Sequence, residues 1–256
     1  MRCVEPLERR RLFAVAFFTL SNGTLTLTGT AGDDAITVQR VTSSGLATLR
    51  LALNDSSDSI LEELVTTVII NAGAGNDSVS CVNDESSVPM ALPVIVNGED
   101  GNDEIIATPM DDALYGGAGE DIIYGLAGND RLFGDDGGDK LLGDDGDDYL
   151  SGAAQKDTIE GGLGNDRLNG NGGNDRLFGN GGIDRLYGYD GADWLDGGSS
   201  NDRLEGGAGL DTMLGQKGND HFFAKDGEVD QLFGGDGTDD AAINAGDVIA
   251  TIESTT

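Results

Sequence analysis

Aspartate recurs at every ninth residue over about half of the chain, and this spacing is the strongest chemical signal in the sequence. From Gly116 to Phe223 the chain divides into twelve units of nine residues, and the sixth residue of each unit is Asp. Two weaker units precede this run in register, from Gly98 and Ala107, and another begins at Gly234 after one unit of ten residues. Position 6 of these fifteen units is Asp103, Asp112, Asp121, Asp130, Asp139, Asp148, Asp157, Asp166, Asp175, Asp184, Asp193, Asp202, Asp211, Asp220 and Asp239.

Carboxylates repeated beside glycine-rich turns are candidate ligands of a hard divalent cation. Calcium takes about 6–8 oxygens from carboxylates and backbone carbonyls, and glycine-rich turns expose carbonyls. Magnesium fits less well because it demands a tight octahedron and keeps its waters. Zinc prefers His or Cys, and the chain has one histidine and two cysteines. The fifteen aspartates are therefore predicted calcium ligands.

The other positions of the unit predict the elements that hold these aspartates. Position 1 is Gly in all twelve core units, and position 4 is Gly in ten, with Gln155 and Ser200 as the exceptions. Position 8 is always large and apolar, which predicts a turn followed by a three-residue strand with one inward side chain. Such a unit cannot bury that side chain alone, so units must stack, two to each 18-residue coil, around a thin apolar core.

The repeat resembles the RTX nonapeptide family, G-G-x-G-x-D-x-U-x, in which U is a large apolar residue. The resemblance covers Gly98 to about Ala242. It implies an all-β fold, a right-handed parallel β-roll or β-helix solenoid with calcium ions in the turns between coils. It also implies a secreted protein, since the family often forms appendages of toxins, proteases or lipases.

The charge of the chain supports a bound cation independently of this resemblance. The chain has 47 Asp and Glu residues and 15 Lys and Arg residues, which gives a net charge of −32. This charge excludes a nucleic-acid binder, and taken alone it would favour a disordered chain. Aspartates 18 residues apart would lie roughly 4.8 Å from each other in a coil and repel by roughly 3.5 kcal/mol. We therefore expect no metal-free roll at neutral pH.

Stacked repeats also bound the number of ions. If each ion bridges one unit and the next but one, fourteen in-register units hold up to about 12 calcium ions, which would leave a charge of about −8. Weaker sites are expected at three units that depart from the turn pattern, those containing Met110, Gln155–Lys156 and Ser200.

The flanking segments predict three further regions around the regular roll of residues 98–242. Residues 1–20 form a basic and apolar segment that is either export-related or a cap; Leu7–Ala14 resembles the N-terminal LEPR-xLL sequence of large surface proteins. Residues 21–97 alternate as strands do and are expected to form irregular coils with insertions. Residues 243–256 are expected to close the other end, and no apolar run reaches the ~18 residues of a membrane span.

No catalytic residue is predicted. Neither H-E-x-x-H nor G-x-S-x-G occurs, and the single histidine, His221, is interpreted as an exposed strand residue. Cys3 and Cys81 are either one disulfide or two free thiols. The sequence thus favours a non-enzymatic, secreted or cell-surface protein that folds on binding calcium.

An alternative function rests on the outward-facing positions. Position 7 of alternate units forms a basic row on the outer face. The row either compensates local charge or makes a groove for an acidic cell-surface polysaccharide. If the protein also acts on that polysaccharide, we expect a lyase-like enzyme. Aromatic residues at position 9 are either a sugar-stacking surface or, as we favour, the edge of the solenoid. The row comprises Arg131, Tyr149, Arg167, Arg185, Arg203 and His221, and the rings are Phe133, Phe178, Tyr187 and Phe223.

Overall fold

The computed structural model describes residues 18–43, 46–54, 56–81, 90–252 and 254–255. Within these residues the strands form two sheets of thirteen strands each. Sheet A contains, in spatial order, β1 (Phe18–Ser21), β2 (Thr24–Thr28), β6 (Thr67–Ala74), β8 (Val94–Asp100), β10 (Ala113–Ala118), β12 (Arg131–Asp136), β14 (Tyr149–Ala154), β16 (Arg167–Gly172), β18 (Arg185–Asp190), β20 (Arg203–Ala208), β22 (His221–Ala224), β24 (Asp240–Ile243) and β26 (Ser254–Thr255).

Sheet B is built from the alternate units. It contains β25 (Val248–Ala250), β23 (Gln231–Asp236), β21 (Thr212–Lys217), β19 (Trp194–Ser199), β17 (Arg176–Gly181), β15 (Thr158–Leu163), β13 (Lys140–Asp145), β11 (Ile122–Tyr124), β9 (Glu104–Ile106), β7 (Ser78–Ser80), β3 (Ala35–Ser43), β4 (Leu46–Leu53) and β5 (Ser56–Leu61). A short 3₁₀ helix, Glu62–Leu64, follows β5.

Successive coils pair in parallel with a register of one coil. Leu168 of β16 lies beside Leu150 of β14 and Leu186 of β18, each 18 residues away. The prediction of an all-β, parallel β-solenoid with two units per coil is therefore confirmed. Most strands are longer than predicted, because pairing continues beyond positions 7–9 into positions 2 and 3 of the next unit.

The coils before the regular repeats are longer. The first two pairs of equivalent aspartates, Asp34 with Asp77 and Asp77 with Asp103, are 43 and 26 residues apart. The additional residues of the first coil include the antiparallel strands β4 and β5, which extend sheet B beyond β3. Insertions therefore lengthen these coils while the strands on either side stay in the same two sheets.

One column of apolar side chains per sheet fills the space between the sheets. Every position-8 residue of the regular repeats is fully buried, from Ile105 and Leu114 to Phe222. Cys81 is a free, buried thiol of this core, whereas Cys3 lies outside the described residues. The described residues contain no helix with the length and apolar content needed to cross a membrane.

Positions 2 and 4 of the twelve core units adopt left-handed backbone conformations, whereas Thr108 and Met110 of the weak Ala107 unit do not. At position 4 the substituted residues Gln155 and Ser200 keep this conformation, with φ of 76° and 89°. The backbone of the turn is therefore retained in these two units, and the expectation of weaker sites there stays a prediction. Left-handed residues other than glycine are strained, by roughly 1–2 kcal/mol each.

Replacing a position-4 glycine tests this turn geometry. Gly182 has φ +143°, and a Cβ there would overlap the carbonyl oxygen of Gly164 in the preceding coil. We expect Gly182→Ala to lower the free energy of unfolding of the calcium-loaded chain by at least ~1–2 kcal/mol. The measurement is urea denaturation followed by circular dichroism.

Gly172→Ala is the matched control. A Cβ at Gly172 would meet its nearest neighbour, the Ala153 carbonyl oxygen, at 3.7 Å, which is an ordinary contact. Gly172→Ala is expected to change the free energy of unfolding by no more than about 0.5 kcal/mol, as surface substitutions usually do. Equal effects of the two substitutions would contradict the assigned turn.

Candidate metal centre

All fifteen predicted aspartates lie in the turns, directly before the strands, with exposed fractions of 0–3%. They form two rows along the two sides of the roll. The first row, where the chain passes from sheet A to sheet B, comprises Asp103, Asp121, Asp139, Asp157, Asp175, Asp193 and Asp211. The second row, on the return to sheet A, comprises Asp112, Asp130, Asp148, Asp166, Asp184, Asp202, Asp220 and Asp239.

One oxygen of each carboxylate, Oδ1, accepts a backbone hydrogen bond from the preceding coil. The backbone N–H of Asp157 donates to Oδ1 of Asp175 at 2.8 Å, and that of Asp175 donates to Asp193 at 2.8 Å. The same bond recurs along both rows at 2.7–2.9 Å. These charge-assisted bonds join consecutive coils along the axis of the roll.

The other oxygen, Oδ2, is buried and has no hydrogen-bond partner among the described residues in thirteen of the fifteen aspartates. These are Asp103, Asp121, Asp130, Asp139, Asp148, Asp157, Asp166, Asp175, Asp184, Asp193, Asp202, Asp211 and Asp220. Buried polar atoms in folded proteins nearly always have a partner, and buried charges are paired or coordinate metals. This row of charged oxygens is therefore a donor set that suits a cation.

Position 1 of the unit is glycine because Oδ2 lies against it. A Cβ on Gly125 would come within 2.6 Å of Oδ2 of Asp130, and one on Gly197 would approach Oδ2 of Asp202 equally closely. In these glycine units a side chain at position 1 would displace the carboxylate of its own unit. Glycine at position 1 and aspartate at position 6 are thus parts of one structure.

Comparison with known families agrees with this geometry. The model of the RTX calcium-binding nonapeptide repeat family (4 copies) matches residues 97–132, 106–141, 133–168, 155–186, 169–204, 187–222, 196–229 and 211–241. These segments overlap into one run that covers more than half of the chain. The chain belongs to the RTX calcium-binding nonapeptide repeat family. A search of curated proteins finds no match.

The RTX repeat binds calcium, which confirms the predicted metal at the level of the family. In this chain each RTX turn contributes one carboxylate to its row. Among the described residues, no three or more His, Cys, Asp or Glu side chains gather into a group that could hold a metal. The acidic side chains are thus distributed along the rows, one per coil, rather than clustered.

Asp112 differs from the other row aspartates because Thr108 supplies partners for its Oδ2. The backbone N–H and the hydroxyl of Thr108 each donate to Oδ2 of Asp112 at 2.8 Å. The unit is the weak ATPMDDALY repeat, in which Ala107 replaces the position-1 glycine. By contrast, Asp157 and Asp202, in the units with Gln155 and Ser200, have the same unpartnered Oδ2 as their neighbours.

The structure adds two aspartates to the first row. Both Asp77 and Asp230 are buried, and each has an unpartnered Oδ2 among the described residues. Oδ1 of Asp77 accepts the N–H of Asp34 at 2.7 Å, and Oδ1 of Asp230 accepts that of Asp211 at 2.9 Å. Asp230 escaped prediction because the ten-residue unit shifts it from position 6 to position 7. Its position directly before the apolar strand Gln231–Asp236 was the available signal.

A second ladder runs beside the aspartate rows at position 5. Side-chain oxygens there accept the position-5 N–H of the next coil, as Asn129 does from Asp147 at 2.9 Å and Asn165 from Ile183 at 2.9 Å. The frequent Asn at position 5 was the sequence signal. The ladder fixes the orientation of the turn peptides next to the carboxylates.

The predicted position-7 row lies on the outer face of sheet A. Two of its members pair with carboxylates: Arg203 with Glu205 at 3.0 Å, and His221 Nδ1 with Asp240 at 2.5 Å. The position-9 rings lie within strands on the outer faces of the two sheets, so their interpretation as the edge of the solenoid is wrong. His221 contacts Phe223 edge to face, with ring centroids 4.3 Å apart.

Burial raises the pKa of the row carboxyls. The pKa of Asp130 and Asp202 is raised to about 8, and that of Asp157 and Asp166 to about 7. The hydrogen bond to Oδ1 opposes the shift, whereas neighbouring carboxylates increase it. The pKa is raised to about 6 for Asp103, Asp112, Asp121, Asp139, Asp148, Asp175, Asp184, Asp193, Asp211, Asp220 and Asp230.

These shifts predict that acid stabilises the metal-free roll. A folded-state pKa above the unfolded value of about 3.9 gives stability that is present below that value and lost as pH rises through the folded pKa. The metal-free roll therefore loses this stability as the pH rises from about 4 to about 8. In chelator-treated, dialysed protein, far-ultraviolet circular dichroism should show more strand at pH 5 than at pH 8. Sedimentation velocity must show that the pH 5 sample is monodisperse; equal or greater strand content at pH 8 would contradict the prediction.

Proposed function

We propose that this chain is an extracellular, non-enzymatic RTX module whose β-roll folds when calcium binds in its turns. The observation that carries the proposal is the pair of rows of buried Oδ2 atoms. Such oxygens destabilise the folded chain while they are charged and unpaired. A ligand that binds only the folded state stabilises it, so folding and calcium binding are coupled.

The proposed calcium ligands are the fifteen predicted aspartates together with Asp77 and Asp230. Carboxylates spaced one coil apart would supply part of a shell of about 6–8 oxygens, and backbone carbonyls of the glycine-rich turns would supply the rest. We retain the estimate of up to about 12 ions from the in-register repeats. Asp112 is expected to bind most weakly, because Thr108 already donates to its Oδ2.

The chain would remain extended in a cytosol poor in calcium and fold after export. The large negative charge of −32 supports this, because it opposes compaction until cations bind. We propose that residues 98–242 are the regular roll, residues 21–97 its irregular first coils, and residues 243–256 the closing segment. Residues 1–17 of the proposed export-related or capping segment lie outside the described residues.

Removing calcium tests the coupling directly. In calcium at pH 7.5 the chain should show the circular dichroism of a β-solenoid, and excess EGTA should abolish most of it. Restoring calcium should restore the signal, whereas magnesium at the same concentration should not, because it keeps its water and demands octahedral geometry. A compact, ordered chain after complete metal removal at this pH would contradict the proposed function.

A single carboxylate substitution tests the assigned ligands. Asp175→Asn preserves the oxygen that accepts the N–H of Asp157 but removes the charge. We expect native mass spectrometry to show the loss of one or two ions (on the order of the sites that one turn borders) while distant coils stay folded, because solenoid contacts are between neighbours. Asp136→Asn removes the same charge from an exposed residue at the end of β12 and serves as control. Unchanged ion counts for both variants would show that Asp175 is not a ligand.

A further inference from the structure

The outer face of sheet A has a chemistry different from the acidic turns. Its strands present Arg131, Tyr149, Arg167, Arg185 and Arg203 side by side at position 7, with Tyr187 at position 9. We call these six residues the arginine–tyrosine face. Neighbouring strands of a sheet lie about 4.8 Å apart, so the position-7 side chains form a line along the axis of the roll.

Three arginines of this face have no carboxylate partner among the described residues, although the chain contains 47 acidic side chains. They are Arg131, Arg167 and Arg185. Local charge compensation, the alternative interpretation of the row, would place a carboxylate against each of them. Within the part of the chain that the structure describes, Arg203 is the one arginine of this face with such a partner, Glu205.

Arg167 is held by aromatic rings instead. Its guanidinium lies 5.9 Å from the ring centre of Tyr149 and 4.9 Å from that of Tyr187, and its Nε donates to Asn169 at 3.5 Å. A guanidinium stacked on rings stays charged and keeps the N–H groups of its edge for planar anions such as carboxylates. The contacts therefore orient the cation without neutralising it.

We propose that the arginine–tyrosine face binds a linear acidic polysaccharide that runs along the axis of the roll. Guanidinium groups would pair with the carboxylates of the uronate units, and the tyrosine rings would pack on the sugar rings. The proposal rests on the proposed function, because the face exists only when the roll is folded.

A polysaccharide fits this face better than a nucleic acid. Glu205 pairs with Arg203, and Asp240 lies beside His221 at the end of the position-7 row. These carboxylates repel any anionic polymer, but they can accept hydrogen bonds from sugar hydroxyls, which the backbone of DNA lacks. The tyrosine hydroxyls both donate and accept such bonds.

Binding of polygalacturonate to the calcium-loaded full chain tests the proposal. We expect the double variant Arg167→Gln/Arg185→Gln to bind at least about tenfold more weakly than the unmodified chain, and dextran, a neutral polymer, not to bind. The control is Lys140→Gln/Arg176→Gln, which removes two exposed cations from the equivalent positions of sheet B. This control should bind polygalacturonate as the unmodified chain does. It has the same net charge as the test variant and the same capacity for calcium-mediated bridging to the polymer.

Circular dichroism of every sample separates the two proposals. A folded, calcium-dependent roll that binds polygalacturonate equally well in both double variants, or prefers poly(dT), would overturn the polysaccharide site and leave the calcium function intact. A roll that stays folded in EGTA would overturn the calcium function, and the variants would still test the site. If the double variant loses its strand signal, Arg185→Gln alone, at an exposed position, is compared with Arg176→Gln.

Discussion

The unpartnered Oδ2 atoms of the row aspartates are charged oxygens enclosed by protein, and the rest of the roll is arranged around them. Burying an ionised carboxylate without a partner costs far more than burying a neutral polar group. The raised pKa of these carboxyls, about 8 at Asp130 and Asp202, is the same cost expressed as a preference for the protonated form. A proton or a cation can relieve it, and a cation lets the chain, which is ionised at neutral pH when unfolded, fold without taking up protons.

Positions 1, 4 and 6 of the repeat are linked through this oxygen. Glycine at position 1 leaves room for Oδ2, and the left-handed residue at position 4 brings its carbonyl against the next coil. Oδ1 meanwhile accepts the N–H of the preceding coil, so each carboxylate contacts two coils at once. Neutralising one carboxylate therefore stabilises its own turn and the neighbouring one, which propagates order along a solenoid whose contacts are local.

The sequence was sufficient for the fold and for most of the aspartate positions because both repeat strictly. It could not reveal the Oδ1 ladder, which depends on the orientation of the carboxylate, nor the role of Thr108, which replaces a missing partner only for Asp112. Asp230 was missed because one inserted residue interrupts the nine-residue spacing, whereas in the structure the turn accommodates that residue and Asp230 keeps its place in the row. Gln155 and Ser200 keep the turn because stacking overrides their backbone preference.

The outward positions of the strands are the part of each unit that neither the carboxylates nor the apolar column constrain. Sheet A uses them for a line of arginines, of which Arg167 stacks on two tyrosines. In sheet B the cations at the equivalent places alternate with uncharged residues: Lys140, Thr158, Arg176, Trp194 and Thr212. Acidic turns border sheet A on both sides, so an anionic ligand is attracted only along the line of arginines and repelled on either side of it. Such a field favours an extended polymer parallel to the roll axis over a compact anion, and each further coil with a free cation at position 7 would lengthen the site.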